Sequence, residues 1–136
     1  MAGDHGIENI SALPEVVVYK SPTCGCCVSW ANYLEEEGFT VSTIDREDVE
    51  SMKPTLGIPD PALYSCHTAV VDGYVIEGHV PAMDIKRLLD DRPSGIAGLS
   101  APGMPTNSPG MASREPKGYS VLSFTEQGDT TVYSQY

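Results

Sequence analysis

The chain has 136 residues, 40% hydrophobic and 20% charged, with a net charge of −11 and a pI near 4.4. This is apolar enough for one folded domain, or one domain with an extension, and too apolar for wholesale disorder. The acidic balance argues against nucleic acid and anionic membranes as partners, since both attract basic surfaces, and no apolar run approaches the ~20 residues of a membrane span.

Residues 1–14 read as an N-terminal tail. They lack both a basic start and a continuous apolar stretch, so no signal peptide is expected there, and His5 is assigned no role. Glu15–Tyr19 is a β-branched run predicted to be a strand buried on both faces. Ser21-Pro22-Thr23 ends it and offers Thr23 as the N-cap of a helix over Cys24–Glu37. Cys27, Trp30, Ala31 and Leu34 make one apolar stripe on that helix, and Gly38 closes it as a left-handed residue. Phe39–Ile44 is a second predicted strand. Asp45–Leu56 has Val49, Met52 and Leu56 on one helical side, with Pro54 expected to end or kink it. Thr68–Val71 and Tyr74–Ile76 flank Asp72-Gly73, a two-residue hairpin turn. Pro81 then opens a helix at its first position, Ile85, Leu88 and Leu89 give its inner face, and Pro93 stops it.

This β-α-β-α-β-β-α order, with a cysteine motif at the head of the first helix, resembles the thioredoxin-like fold over residues 15–91. The expected class is α/β, a mixed sheet flanked by helices. Residues 92–136 form an extension packed on the same domain. Arg92–Gly118 is a long loop punctuated by Gly, Pro and Ser, with the internal echo Pro102-Gly103-Met104 and Pro109-Gly110-Met111. Tyr119–Tyr136 returns to strand composition and reads as a C-terminal hairpin or a pair of edge strands, so the loop must wrap back over the domain.

Three of the four cysteines lie in Cys24-Gly25-Cys26-Cys27 and the fourth in Cys66-His67. A helix N-terminus stabilises thiolate, so Cys24 is expected to be the most acidic and exposed thiol, with Cys27 one turn deeper. Cys24 and Cys27 have redox Cys-x-x-Cys spacing, and Cys26 is an additional thiol. In thioredoxin-like proteins the segment entering the third strand carries a cis-proline that packs on the cysteine pair. Ser65-Cys66-His67-Thr68 takes that place here. Four sulfurs are therefore expected to converge beside an imidazole, a metal pocket more than a general exchange site. Alternative readings are inert buried thiols or a structural disulfide at Cys26 and Cys66, and a purely structural His67.

Four-thiolate zinc sites usually draw two ligands from each of two separated pairs. The split here is three and one with Cys26 and Cys27 adjacent, which suits Cu(I) and small copper–thiolate clusters and disfavours an iron–sulfur cluster. Cu(I) also accepts thioether sulfur, so Met104 and Met111 are weaker candidate ligands, with hydrophobic packing of the loop as the alternative. His79 precedes a helix and reads as part of its cap or as a further ligand.

The chain resembles a bacterial family of thioredoxin-like metal-binding proteins, the CopG-type copper-handling proteins. The resemblance is carried by Val18-Tyr19-Lys20-Ser21-Pro22-Thr23-Cys24-Gly25-Cys26-Cys27, Leu63-Tyr64-Ser65-Cys66-His67-Thr68-Ala69, Glu77-Gly78-His79-Val80-Pro81, Gly98-Leu99, Pro102-Gly103-Met104-Pro105 and Ser108-Pro109-Gly110-Met111. It implies a periplasmic protein that accompanies copper-resistance systems and binds Cu(I) through Cys24, Cys26, Cys27 and Cys66, with copper or thiol redox chemistry. His67 is then a secondary ligand, and the partners are copper ions and other copper-transfer proteins. Two rival functions remain open. One is a thiol–disulfide oxidoreductase with Cys24 attacking and Cys27 resolving. The other is an interaction domain with a structural zinc.

Overall fold

The computed structural model describes residues 13–103, 108–109, 111 and 116–136. Seven strands form one mixed sheet in the order β2-β1-β3-β4-β5-β6-β7. They are β1 (Val16–Lys20), β2 (Val41–Asp45), β3 (Thr68–Val71), β4 (Tyr74–Gly78), β5 (Gly98–Ala101), β6 (Ser120–Phe124) and β7 (Thr130–Gln135). The helices are α1 (Gly25–Glu36), α2 (Val49–Leu56) and α3 (Ala82–Asp91), with a short 3-10 turn at Pro61–Leu63. Only β1–β2 and β4–β5 pair in parallel, and the remaining neighbours are antiparallel. No helix among the described residues is long and apolar enough to cross a membrane.

Strand alternation gives the sheet two cores. Adjacent residues of a strand face opposite ways, and Ile76 belongs to one buried cluster while Val75 belongs to another. The larger cluster joins Val16, Val18, Ala69 and Ile76 to Trp30 and Leu34 of α1 and to Ile85 and Leu88 of α3. The smaller one gathers Ile58, Leu63, Val75 and Phe124 on the other face. The predicted stripe of α1 is buried as expected. So is the inner face of α3, and Asp72 (φ +50°) and Gly73 (φ +88°) make the hairpin turn.

Several expectations are corrected. Strand β1 buries Val16 and Val18 fully, but Val17 and Tyr19 only in part, so it is not buried on both faces. The N-cap of α1 is Cys24 rather than Thr23. The Thr23 hydroxyl lies 3.2 Å from Ser21 Oγ in the preceding turn and is engaged there. Pro81 is the N-cap of α3, one position before its first helical residue, and Tyr33 Oη accepts the Ala82 N–H at 2.8 Å. Helix α2 begins only at Val49 and continues past Pro54 to Leu56, where Gly57 (φ +117°) ends it. Its buried residues are Val49 and Lys53, whereas Met52 and Leu56 are half-buried.

The largest correction is β5, which lies inside the stretch predicted to be loop. A Cβ at Gly98 would sit 1.9 Å from the Val75 carbonyl oxygen and 2.9 Å from Phe124 Cζ. The glycine that made this segment read as a turn is the residue that lets β5 approach β4. The strands β6 and β7 then add antiparallel, as the expected C-terminal hairpin.

Candidate metal centre

Topology brings the four cysteines together. Antiparallel pairing of β1 with β3 sets Tyr19 opposite Thr68. The chain leaving β1 toward α1 therefore runs beside the chain entering β3. Hairpin pairing sets Thr68 opposite Glu77. Continuing that register two residues beyond the pair puts Cys66 opposite His79. Parallel pairing of β4 with β5 sets Gly78 beside Ala101, so the long loop leaves from the same end of the sheet.

The sulfurs of Cys24, Cys26, Cys27 and Cys66 all lie within 4.8 Å of one another. Cys24 and Cys27 form a disulfide with S–S 2.09 Å, while Cys26 and Cys66 are free. Cys26 Sγ lies 3.6 Å from Cys24 Sγ and 3.7 Å from Cys66 Sγ. Cys27 is fully buried and the other three are half-buried. The pair with Cys-x-x-Cys spacing is thus bonded, and the expectation that Cys24 is the most acidic thiol concerns the reduced pair. The convergence of Cys66 on the head of α1 is observed.

A second donor group, Cys66, His67 and His79, shares the Cys66 sulfur with the first. Both imidazoles are fully buried. A carbonyl only accepts hydrogen bonds, so His67 Nε2–H donates to Gly78 O at 2.9 Å and His79 Nδ1–H donates to Pro109 O at 2.6 Å. The remaining ring nitrogens are unprotonated and both point at sulfur. His67 Nδ1 lies 3.4 Å from Cys66 Sγ and 3.3 Å from Cys27 Sγ, and His79 Nε2 lies 3.3 Å from Cys66 Sγ. The Trp30 ring packs on His67 with centroids 4.4 Å apart, and its Nε1–H is tied to Val80 O at 2.9 Å.

Electrostatics keep these groups neutral. Burial pushes the Cys66 thiol up to about 12, with neighbouring Cys26 adding to the rise. Burial also holds His67 well below its ordinary 6.5, with the adjacent His79 reinforcing it. His79 is lowered by burial, against the opposing effect of its bond to Pro109. Around Cys66 at neutral pH there are thus two ring lone pairs, a sulfur of the disulfide and the second free thiol, Cys26, and the Cys66 S–H can satisfy only one of those nitrogens. A buried concentration of acceptors short of protons fits a soft cation, and imidazoles anchored through their far nitrogen are the usual arrangement around a metal.

Sequence reasoning gave His79 little weight, though the Asp72-Gly73 turn fixes the register that places it opposite Cys66. Its role is not in the α3 cap. Of the two methionines, Met104 lies outside the described residues. Met111 is half-buried, its N–H donating to Ser108 O at 3.0 Å, and it follows closely the Pro109 carbonyl that holds His79.

A protein family described as "Protein of unknown function, DUF411" matches residues 63–111, the stretch that holds Cys66, His67 and His79. Two solved structures of copper resistance protein copG, its forms 1 and 2, are each 38% identical to the chain. Each superposes with a TM-score of 0.82 over 91% of this chain and 98% of its own. No curated protein sequence matches.

Proposed function

The chain belongs to the family of copper resistance protein CopG, and we propose that it binds Cu(I) in copper resistance or homeostasis through Cys24, Cys26, Cys27 and Cys66. His67 and His79 serve as nitrogen donors from the buried side. The observation that carries this reading is the pair of unprotonated ring nitrogens aimed at Cys66 Sγ, inside a group of four sulfurs. Soft thiolates select Cu(I), and imidazole is an acceptable partner for copper. The cargo is a copper ion or a small copper–thiolate cluster, and other copper-transfer proteins are the partners from which it arrives or to which it goes. A periplasmic setting, where disulfides persist, accords with the Cys24–Cys27 bond.

That bond couples the site to oxidation state. Two of the four sulfurs are unavailable as thiolates while it stands. Reduction by a thiol or dithiol supplies two electrons and two protons, breaks the S–S bond and restores both cysteines as ligands. The test is anaerobic Cu(I) titration against a strong chromophoric chelator, on fully reduced protein and on protein holding the Cys24–Cys27 disulfide. Reduced protein binds more copper, and more tightly. Equal, weak binding by both forms ends the copper reading.

The same disulfide favours one second reading, a thiol–disulfide oxidoreductase built on Cys24 and Cys27. Against it, no cis peptide bond occurs among the described residues, and Cys27 is fully buried against His67. Rapid reduction of a model disulfide such as insulin, surviving Cys66→Ser, would support that reading.

A further inference from the structure

Glu77 and Thr68 face the side of the sheet away from α1, since their neighbours Ile76 and Ala69 face the α1 core. Lys53 of α2 reaches across this face to meet them. Its Nζ lies 2.6 Å from Glu77 Oε2 and donates to Thr68 Oγ1 at 2.9 Å. Thr68 Oγ1 in turn donates to Glu77 Oε1 at 2.5 Å. Glu77 Oε2 also accepts the Ser65 backbone N–H at 2.7 Å. The Lys53 side chain is 2% exposed and that of Glu77 0%.

An ion pair this deep is weak evidence for stability, because desolvating both charges offsets their attraction and well-packed apolar replacements are often neutral or better. Its contacts suggest another role. One carboxylate holds the residue before Cys66 and the residue after His67, so both ends of the two-residue segment carrying these side chains are fixed to a single group. The front of the segment is held by Gly78, whose N–H donates to His67 O at 3.1 Å and whose carbonyl receives His67 Nε2–H. A Cβ at Gly78 (φ +83°) would lie 2.6 Å from Ser65 Cβ and 2.7 Å from Ala101 O, so the segment is packed tightly against this strand end.

We propose that Lys53 and Glu77 are positioning residues, a buried clamp acting through the sheet to hold Cys66 and His67 at the geometry metal binding needs. Neither touches the sulfur cluster. This inference rests on the copper reading for its ligand, but its structural half stands apart from it, and the test separates the two. The double variant Lys53→Met/Glu77→Leu removes both charges and leaves neither buried alone. Thr68→Val cuts one arm of the clamp and keeps the ion pair. Leu88→Ala, in the α3 core, serves as a destabilised control that belongs to neither the clamp nor the sulfur cluster.

Two quantities are measured on reduced protein: Cu(I) affinity by chelator competition, and the metal-free rate of Cys66 alkylation, located by mass spectrometry. In the double variant affinity falls by about 10–100-fold, the loss typical when the outer partners of metal ligands are removed, and Cys66 alkylates several-fold faster. Thr68→Val moves both in the same direction by less, and Leu88→Ala lowers the melting temperature while leaving both unchanged. Unchanged affinity and alkylation in the folded double variant overturn the clamp, and so does an equal loss in Leu88→Ala. If the double variant does not fold, Thr68→Val against Leu88→Ala decides. If the wild type binds no Cu(I), the copper reading fails and the alkylation rates alone decide the clamp.

Discussion

The two sides of Cys66 differ in what can change. On one side lie Cys24 and Cys26, half-buried, with Cys24 locked in a disulfide that a reductant can open. On the other lie His67 and His79, fully buried, neutral, and each anchored by a main-chain carbonyl. On the proposed copper reading, the sulfur side is then a variable ligand set and the imidazole side a constant one. Such a site would keep its shape while its capacity followed redox state, because the fixed donors need no reduction to remain in place.

Three experiments sharpen or break that contrast. The largest effect is expected at the shared atom. Cys66→Ser removes the sulfur that both ring nitrogens face, so Cu(I) affinity should drop by more than the ~10–100-fold attached to outer partners. Cys26→Ser should cost less, because the sulfur that both ring nitrogens face remains. Chelator competition on both variants measures this, and equal losses would mean that Cys66 is not shared. Next is His79→Ala. It removes one of the two constant donors, so it should lower affinity about tenfold in reduced and disulfide-bonded protein alike, by analogy with the loss of ligand support. A loss confined to one redox form would contradict a constant side.

The smallest effect is on stability. His67 is held well below its ordinary 6.5 and His79 is lowered, both chiefly by burial. The unfolded chain therefore binds more protons than the folded one as pH falls through 6.5. The contribution of neutral, buried histidine is full above that value and is lost below it. Glu77, pushed above its ordinary 4.5 by burial, works in the opposite sense as pH falls through its raised value toward 4.5. The window in which histidine charging begins opens just below about pH 7. Metal-free protein scanned across it should melt at falling temperature, and a flat profile would place the imidazoles in contact with solvent.

Much of this was legible in the sequence, wherever the signal is local. The spacing of Cys27, Trp30 and Leu34 declares the buried face of α1, and Asp72-Gly73 declares the hairpin. The convergence of Cys66 on Cys24 and Cys26 was expected from the resemblance to the thioredoxin-like fold. What stayed hidden depends on partners distant in the chain. Strand β5 has small residues because it must fit between β4 and β6, and Gly98 has meaning only against the Val75 carbonyl. The burial of Lys53 on α2 becomes intelligible only once Glu77 is set beside it. His79 is intermediate: the turn at Asp72-Gly73 already fixes its register against Cys66, but its orientation needs Pro109, from a segment whose course no periodicity announces.

The anchors of the two imidazoles have a genetic consequence. Both acceptors are peptide oxygens, of Gly78 and Pro109, and every amino acid supplies one. Exchanging the side chain at Pro109 deletes no acceptor, so a scan by point substitution would pass over it, whereas Gly78 has no room for a side chain and would register through its packing instead. Only rerouting the main chain, by shortening or lengthening the stretch that delivers Pro109, can release His79. Drift in this lineage can therefore rewrite the letters of that stretch more freely than its length.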